Sequence, residues 1–156
     1  MGGLVSTWGK VMANVNDSTY KNKKYVRKTV TFTGGASAGA VGTINLFSVT
    51  GNVRAKLTAV CTENLVSAGG GTLEVGISGN TASIIAQTAA TDIDNGETWK
   101  DASPDANPAV DDVMSHIIAN GSDIIATVGT DAITDGTIVF DLEYEAMDAT
   151  GAVAAA

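Results

Sequence analysis

Two side chains of this sequence could carry nucleophilic or acid–base chemistry, the single cysteine Cys61 and the single histidine His116. A nucleophile needs a positioned base, and a metal centre needs several ligands, so one residue of each kind leaves most such sites incomplete. His116 stands in an isoleucine-rich run, and Cys61 falls on the apolar side of an alternating run, where a free thiol behaves as a small hydrophobic side chain. We therefore predict that both are structural, that the protein is not an enzyme, and that it binds no cofactor.

Two groups of carboxylates have a spacing similar to that of cation-binding sites. Residues 92–97 resemble a calcium loop, but an EF-hand needs Gly at its sixth position and Glu at its twelfth, and both positions hold other residues here. Asp141, Glu143 and Glu145 alternate, so they would project from one strand face about 7 Å apart. These carboxylates could form a solvated row at a strand edge, where charge opposes aggregation. The alternative is a weak cation site. We predict a turn, a solvated row and no bound metal.

The charges divide the chain into a basic part and an acidic part. Residues 1–56 hold eight bases and one acid, whereas residues 57–156 hold one base and 16 acids. Five bases cluster before the first clear strand: Lys21, Lys23, Lys24, Arg27 and Lys28. Tyrosines interleave with them, as in sites that stack nucleic-acid bases, but the acidic remainder would repel a polyanion, and we expect no nucleic-acid partner. We predict that the five bases form an arm that docks on an acidic protein surface; a clamp onto the chain's own domain is the alternative.

The runs that must position these residues alternate between apolar and polar side chains. Residues 53–62 are the cleanest example, because every second side chain from Val53 to Cys61 is apolar. Residues 136–147 alternate in the same way, and their predicted inward side chains are Ile138, Phe140, Leu142 and Tyr144. A period of two is typical of a strand with one buried face.

Asn-Gly pairs at residues 95–96 and 120–121 predict tight turns, because both residue types accept the positive φ angles of a type I′ turn. The second pair lies between two similar isoleucine-rich runs, 115–119 and 122–126, which predicts that these runs form a hairpin. A helix over residues 110–119 is the competing interpretation. The sequence leaves this choice open.

Short alternating runs, frequent turn signals and almost no helical period predict an all-β fold. We predict a single antiparallel β-sandwich, jelly-roll-like, over residues 29–147. An irregular basic N-terminal arm would precede it over residues 1–28, and a small-residue tail would follow over residues 148–156. The chain contains 23 alanines, 19 threonines and 18 glycines, which leave little apolar mass in the core. Because association buries further apolar area, we expect a homo-oligomer.

The sequence carries no recognisable signal for crossing or entering a membrane. No apolar run approaches the roughly 20 residues that a spanning helix needs, so we expect no membrane partner. The first residues lack the basic start and apolar core of a signal peptide. A single cysteine cannot form an internal disulfide, which indicates a fold that was not built around an oxidising compartment.

Over roughly residues 41–140 the sequence resembles small virion proteins of tailed bacteriophages. The resemblance is carried by GTINLFSVTGNV at 42–53, AVCT at 59–62, LEVG at 73–76, IIAQT at 84–88, ATD at 90–92, DIIATVGT at 123–130 and GTI at 136–138. The order of these motifs is distinctive, whereas each motif alone is not. The resemblance implies a β-sandwich or jelly roll, often oligomeric, attached to a capsid or tail; it carries no catalytic residues and does not cover the first 40 positions.

The resemblance implies a virion location after assembly in the host cytoplasm, with the major capsid protein or another virion protein as partner. The leading hypothesis is a capsid decoration or cement protein that stabilises the head shell, with a homotrimer as the first expectation. The alternative is a head-fibre or tail-appendage domain that binds a host surface glycan or another virion protein. Glycan sites usually present exposed aromatic side chains, and this chain has only two Trp, three Tyr and three Phe, which favours the first hypothesis.

Overall fold

A computed structural model describes residues 22–106 and 111–156. These residues form ten strands, which are β1 (Lys24–Thr31), β2 (Gly42–Thr50), β3 (Val53–Val66), β4 (Thr72–Ile77), β5 (Asn80–Ala89), β6 (Thr98–Trp99), β7 (His116–Ile118), β8 (Ile124–Gly129), β9 (Asp135–Ala146) and β10 (Ala152–Ala155). A 3-10 turn, Ala90–Asp92, follows β5. Within the described ranges, no helix is long and apolar enough to cross a membrane.

All of the strands pair antiparallel, in two sheets. Sheet 1 has the order β1-β9-β3, and β6 and β7 both pair with the other side of β3. Sheet 2 has the order β10-β2-β8-β4-β5. If β6 and β7 count as one position and β10 as an added edge strand, the chain forms two four-stranded sheets with the nested connections of a jelly roll. The predicted antiparallel β-sandwich of jelly-roll type is confirmed.

The core lies between the sheets and includes the inward faces predicted for β3 and β9. On β3, every second side chain from Val53 to Cys61 is at most 3% exposed. On β9, Ile138, Phe140 and Leu142 are at most 1% exposed and Tyr144 is 6% exposed. The two strands pair in one unbroken register from Val53 to Cys61, so the two alternations stay in phase along the sheet.

Strand β1 corrects the boundary predicted for the N-terminal arm. Residues 24–28, placed in the irregular arm, pair with β9 from Lys24 opposite Tyr144 onward. The alternation there was hidden because lysines occupy inward-facing positions next to Val26 and Val30 at the edge of the sandwich, where their ends reach solvent. The part of the predicted arm before Asn22 lies outside the described residues.

Strand β10 corrects the predicted tail in the same way. Residues 152–155 pair antiparallel with β2, from Ala152 opposite Thr50 to Ala155 opposite Phe47, and Val153 is only 8% exposed. A run of alanines has no polar alternation, so nothing in the tail sequence marks which face is buried. Pairing with an available sheet edge decides its conformation.

The turn at Asn120 and Gly121 forms, but the hairpin predicted around it was wrong. Both residues have positive φ, 57° and 67° respectively. However, β7 pairs with β3 in sheet 1, whereas β8 pairs with β2 and β4 in sheet 2. The turn is bound to the β2–β3 connection, because Gly121 N–H donates to the carbonyl of Gly51 and Asn120 N–H donates to the side chain of Asn52. The chain therefore crosses between the sheets at this point.

The helix considered over residues 110–119 is also absent from the described part of that range. Residues 116–118 are strand and residues 111–115 have no regular structure. The Asn-Gly pair at 95–96 does form a turn, with φ of 89° at Gly96. It joins strands that pair elsewhere, since β5 pairs with β4 and β6 pairs with β3.

Candidate interaction surfaces

The outer face of sheet 1 carries an acidic row between two basic rows. The acidic row is Asp141, Glu143 and Glu145 on β9. Strand β9 lies between β1 and β3, so the solvated edge position predicted for this row was wrong. In the register, Arg27 of β1 lies opposite Asp141, and Lys56 of β3 lies opposite Glu143. The bases on both sides compensate the negative charge of these carboxylates, which would otherwise favour the binding of a cation.

Glu143 is the most heavily engaged member of the row. Lys23 Nζ lies 2.7 Å from Glu143 Oε1, and the hydroxyl of Tyr25 donates a 3.2 Å hydrogen bond to Oε2. The hydrogen bond from Lys23 holds the pKa of Glu143 below its ordinary value, because it favours the charged carboxylate. The same contact raises the pKa of Lys23.

The other two carboxylates also have basic partners. The Arg27 guanidinium donates to both oxygens of Asp141, with Nε at 2.6 Å and Nη2 at 2.7 Å, which is the bidentate geometry of a strong pair. Arg54 Nη1 lies 3.8 Å from Glu145 Oε2. All of these side chains are partly exposed, so each pair adds little to the stability of the fold.

Lys24 and Lys28 point away from this face, along the edge between the two sheets. Lys24 Nζ lies 5.9 Å from the centroid of the Tyr144 ring, and Lys28 Nζ donates a hydrogen bond to the backbone carbonyl of Ala156. Lys28 thereby connects β1 of sheet 1 with the end of the chain beside β10 of sheet 2.

Of the five bases predicted to dock on a partner, four lie within the described residues and each contacts its own domain. Lys21 lies outside them. The arrangement of Lys23, Lys24, Arg27 and Lys28 is that expected from the clamp alternative. Docking of this segment on an acidic partner stays a prediction.

A second charged cluster, around Lys100, was missed by sequence reasoning. The Lys100 side chain is 6% exposed, and its Nζ lies 2.6 Å from Asp112, 2.9 Å from Asp105 and 3.6 Å from Asp101. The hydrogen bonds that Lys100 donates to Asp112 and Asp105 raise the pKa of Lys100, and the bond to Asp112 lowers the pKa of that carboxyl group. The available signal was that Lys100 is the one base among the acids after residue 56.

The Lys100 cluster forms one wall of a cavity of about 400 Å³, here called the rim cavity. It lies between β5 and the segment that leads into β7, and its apolar walls include Leu57, Ile84, Val113 and Met114. His116 also lines it, and His116 Nδ1 is buried with no hydrogen-bond partner among the described residues.

The structure keeps Cys61 and His116 apart. His116 pairs with Ala55 on β3, and Cys61 lies six residues further along that strand, which is about 20 Å. Cys61 is fully buried, and its thiol donates to the carbonyls of Glu63 and Ile93. Burial raises the pKa of the Cys61 thiol, which favours the uncharged form.

In the loop after β5, polar groups form hydrogen bonds with one another rather than serving as ligands for a cation. Asp94 N–H donates a 2.8 Å hydrogen bond to Glu97 Oε2, and Glu97 N–H donates back to the carbonyl of Asp94. Asp92 belongs to the 3-10 turn. Across the described ranges, no group of three His, Cys, Asp or Glu side chains is placed to hold a metal ion.

Residues 35–39 have the Gly-x-Ser-x-Gly spacing of a hydrolase nucleophile turn. Ser37 has a positive φ of 56°, as the serine of a sharp turn does. The loop joins strands β1 and β2, however, and not a strand to a helix. Among the described residues that line the cavity of about 360 Å³ beside Ser37, there is no histidine or carboxylate side chain.

The outer face of sheet 2 differs from that of sheet 1 by its lack of charge. By register and alternation, its outward side chains are Thr43, Asn45, Ser48, Thr50, Thr72, Glu74, Gln87, Ile125, Thr127, Ala152 and Ala154. The only charged side chain in this set is Glu74, which accepts a 3.4 Å hydrogen bond from Gln87. We call this set the neutral face.

No protein-family model and no curated protein matches the chain. Among solved structures, the chain is similar to one in the acidic stable capsid structure of Helicobacter pylori bacteriophage KHP30, with 13% identity and a TM-score of 0.49 over 85% of this chain and 98% of that one. It is also similar to a chain of the capsid asymmetric unit of cyanophage Pam1, with 18% identity and a TM-score of 0.45 over 80% of this chain and 84% of that one.

Proposed function

We propose that this chain is a structural protein of a tailed-bacteriophage virion, and that it decorates and stabilises the capsid. The ordered motifs between residues 41 and 140 support this role, because they resemble those of small phage virion proteins. They map onto β2 to β5 and onto β8 and β9, which are six of the eight strand positions of the jelly roll. The role is one of packing against neighbours and requires no catalytic group.

The neutral face is the observation that carries the proposal. Roughly 25–35% of the surface residues of a soluble domain are charged. The neutral face has one carboxylate, Glu74, although this chain has 17 acids and a net charge of −8. Depletion of charge is typical of the centre of a protein–protein interface. We infer that the neutral face packs against the capsid shell or against another copy of the chain.

Recombinant protein added to undecorated heads tests this role. We expect binding at a copy number that matches the capsid lattice, with heads that resist heat or low salt better than undecorated ones. Thr43→Arg with Ser48→Arg places two charges on the neutral face, where both side chains are exposed, and should abolish binding without unfolding the domain. Thr29→Arg with Thr31→Arg on β1 is the matched control, because these residues are exposed on sheet 1. Equal binding by both variants would overturn the role of the neutral face.

The predicted basic arm is tested on the same particles. Replacing Lys21, Lys23, Lys24, Arg27 and Lys28 together with Gln removes the cluster, while each described ion pair is exposed and adds little to the stability of the fold. If the arm anchors the protein, the folded variant binds heads weakly, and wild-type binding weakens as salt rises. Wild-type occupancy by the variant would reject the anchor, and failure to fold would favour the clamp.

One observation favours the alternative of an appendage that binds a host glycan. Tyr25 is 71% exposed, and its hydroxyl is bonded to Glu143 beside the Arg27–Asp141 pair. In a glycan-binding site, a sugar ring stacks on an exposed aromatic side chain, and charged groups form hydrogen bonds with the sugar hydroxyls. Binding to a glycan array that Tyr25→Ala abolishes, together with few copies per particle, would favour this alternative over decoration.

A further inference from the structure

The two edges of sheet 1 carry opposite charges. One edge is strand β1, whose outer side pairs with no described strand. Residues 22–31 hold four bases and no acid, and we call these bases the basic edge: Lys23, Lys24, Arg27 and Lys28. The other edge consists of β6, β7 and the loop before β6, which all bind the outer side of β3. This second edge is rich in acids.

The acids of the second edge follow β3 along its length. Residues 92–112 hold seven acids and one base, a net charge of −6. We call the acids the acidic strip: Asp92, Asp94, Glu97, Asp101, Asp105, Asp111 and Asp112. The backbone of the loop before β6 binds that of β3 at Cys61 and Leu65, and β7 pairs with β3 from Val53 to Ala55. Because β6 and the Lys100 cluster come between these points in the chain, the strip extends from one end of β3 towards the other.

The bases of the basic edge are more exposed than the acids that they contact. Side-chain exposure is 54% for Lys23 against 26% for Glu143, and 67% for Arg27 against 43% for Asp141. Lys24 is exposed, and its Nζ lies over an aromatic ring rather than beside a carboxylate. The basic edge therefore presents positive charge to an approaching molecule, although its bases also contact their own domain.

The positions of the two edges favour contact between unlike surfaces of two copies. From β1 across β9 and β3 to β7 is three strand spacings, about 14 Å, so the two charged surfaces lie on opposite sides of the sheet. A two-fold contact uses the same patch on both copies and would bring like charges together at either edge, which is unfavourable. Contact between the basic edge of one copy and the acidic strip of another joins opposite charges. Contacts of this head-to-tail kind form a ring when the rotation between neighbours closes.

We propose that copies of this chain associate head to tail, with the basic edge of one copy on the acidic strip of the next. A second copy fits because one chain presents both of the complementary surfaces, four bases on one and a net charge of −6 on the other. The ion pairs with Glu143 and Asp141 hold Lys23 and Arg27 in place, so these side chains lose little freedom on contact. The neutral face is left free to meet the capsid shell.

Reversal of the basic edge is the first test. Lys23→Glu, Lys24→Glu and Lys28→Glu together change the net charge of residues 22–31 from +4 to −2. Because acids would then face acids, sedimentation of the full chain at about 0.1 M salt should give a dissociation constant at least about hundredfold higher than that of the wild type. Arg54→Glu with Lys56→Glu is the control, because these bases lie on β3, inside the sheet, and should change the constant by less than about threefold.

Reversal of the acidic strip should weaken association in the same way. Asp92→Lys, Asp94→Lys, Asp101→Lys and Asp111→Lys together change the net charge of residues 92–112 from −6 to +2, and all four side chains are exposed. When both reversals are combined in one chain, opposite charges face each other again, and the dissociation constant should return to within about tenfold of the wild-type value. This recovery distinguishes a contact between the two surfaces from separate effects of each reversal on the fold, and its absence would overturn the proposal.

Salt provides a test that needs no variant. Between about 0.1 M and 1 M salt the Debye length falls from about 10 Å to about 3 Å, so the dissociation constant of the wild type should rise at least about tenfold. A constant that does not change with salt, or a wild type that is monomeric at micromolar concentration, would overturn the proposal. Wild-type association by the reversed basic edge would also overturn it, because the bases would then serve only to keep other strands from pairing with β1. If that variant associates and Thr43→Arg with Ser48→Arg does not, the contact between copies belongs to the neutral face instead.

Discussion

The indole nitrogen of Trp99 donates a 2.9 Å hydrogen bond to the hydroxyl of Thr88, and this bond joins the two sheets. Trp99 lies on β6 of sheet 1 and Thr88 on β5 of sheet 2, and both are buried. The Trp99 ring also meets Phe140 of β9 edge to face, with ring centroids 6.4 Å apart. The side chain of Trp99 therefore holds the two-residue strand β6 in place. Because Lys100 directly follows β6, this also positions Lys100 beside the rim cavity.

Thr88→Val should lower the free energy of unfolding by about 1–3 kcal/mol, because it keeps the side-chain shape but leaves the buried indole N–H unpaired. Denaturant melts followed by circular dichroism measure the loss. Thr29→Val on the exposed face of β1 is the control and should change stability by less than about 0.5 kcal/mol. Equal losses would show that the hydrogen bond does not matter.

Phe140→Ala should lower the free energy of unfolding by about 3–5 kcal/mol, because Phe140 is fully buried on the inward face of β9. Val139→Ala, one residue earlier and on the opposite face, should cost less than about 1 kcal/mol. Denaturant melts compare the two variants. A loss below about 1 kcal/mol for Phe140→Ala would contradict the register of β9.

Stability should decrease as the pH falls below about 4. The pKa values of Asp112 and Glu143 are lowered in the fold, mainly by hydrogen bonds from Lys100 and Lys23, so their contribution is present above the ordinary carboxyl pKa and is lost on protonation. Asp112→Asn should flatten part of this decrease in melts between about pH 2 and 6. Asp111→Asn is the control, because Asp111 is exposed and forms no ion pair within the described residues. Identical pH profiles for both variants would contradict the role of Lys100.

Cys61 should not react with a thiol reagent such as DTNB in the native protein at neutral pH. It is buried among core residues and burial raises the pKa of its thiol, so neither access nor the reactive thiolate is available. The reaction should become complete once denaturant unfolds the chain. Rapid labelling of the native protein would show that this part of β3 opens without global unfolding.

The protein should be a homo-oligomer, with a trimer as the first expectation, and light scattering at micromolar concentration measures its mass. If the neutral face forms the contact between copies, Thr43→Arg with Ser48→Arg should give a monomer, because two charges would have to be buried in the interface. Thr29→Arg with Thr31→Arg should leave the mass unchanged. A monomeric wild type whose melting temperature does not change on dilution would refute this prediction.

The sequence by itself determined the class of fold and the inward faces of the longest strands. Along β3 and β9 each apolar side chain alternates with a polar one, and a strand can bury only one such set, so the pattern admits one register. The same reasoning assigned Cys61 to the core. Positive φ at Asn120 and Gly121 also followed from residue type alone, because few residues accept that conformation.

Only the tertiary structure decided which segments become neighbours. The sequence suggested that the runs on either side of Asn120 pair with each other. Instead, each pairs with longer strands of a different sheet: β7 pairs with β3, and β8 pairs with β2 and β4. The bases of β1 are close in sequence, yet alternation sends Arg27 to the acidic row and Lys28 to the other sheet. Lys100 gains three aspartates because β6 and the loop after it bring them together. Side-chain alternation is a local property that a sequence displays, whereas strand partners and ion pairs depend on contacts between distant segments, which exist only once both sheets have formed.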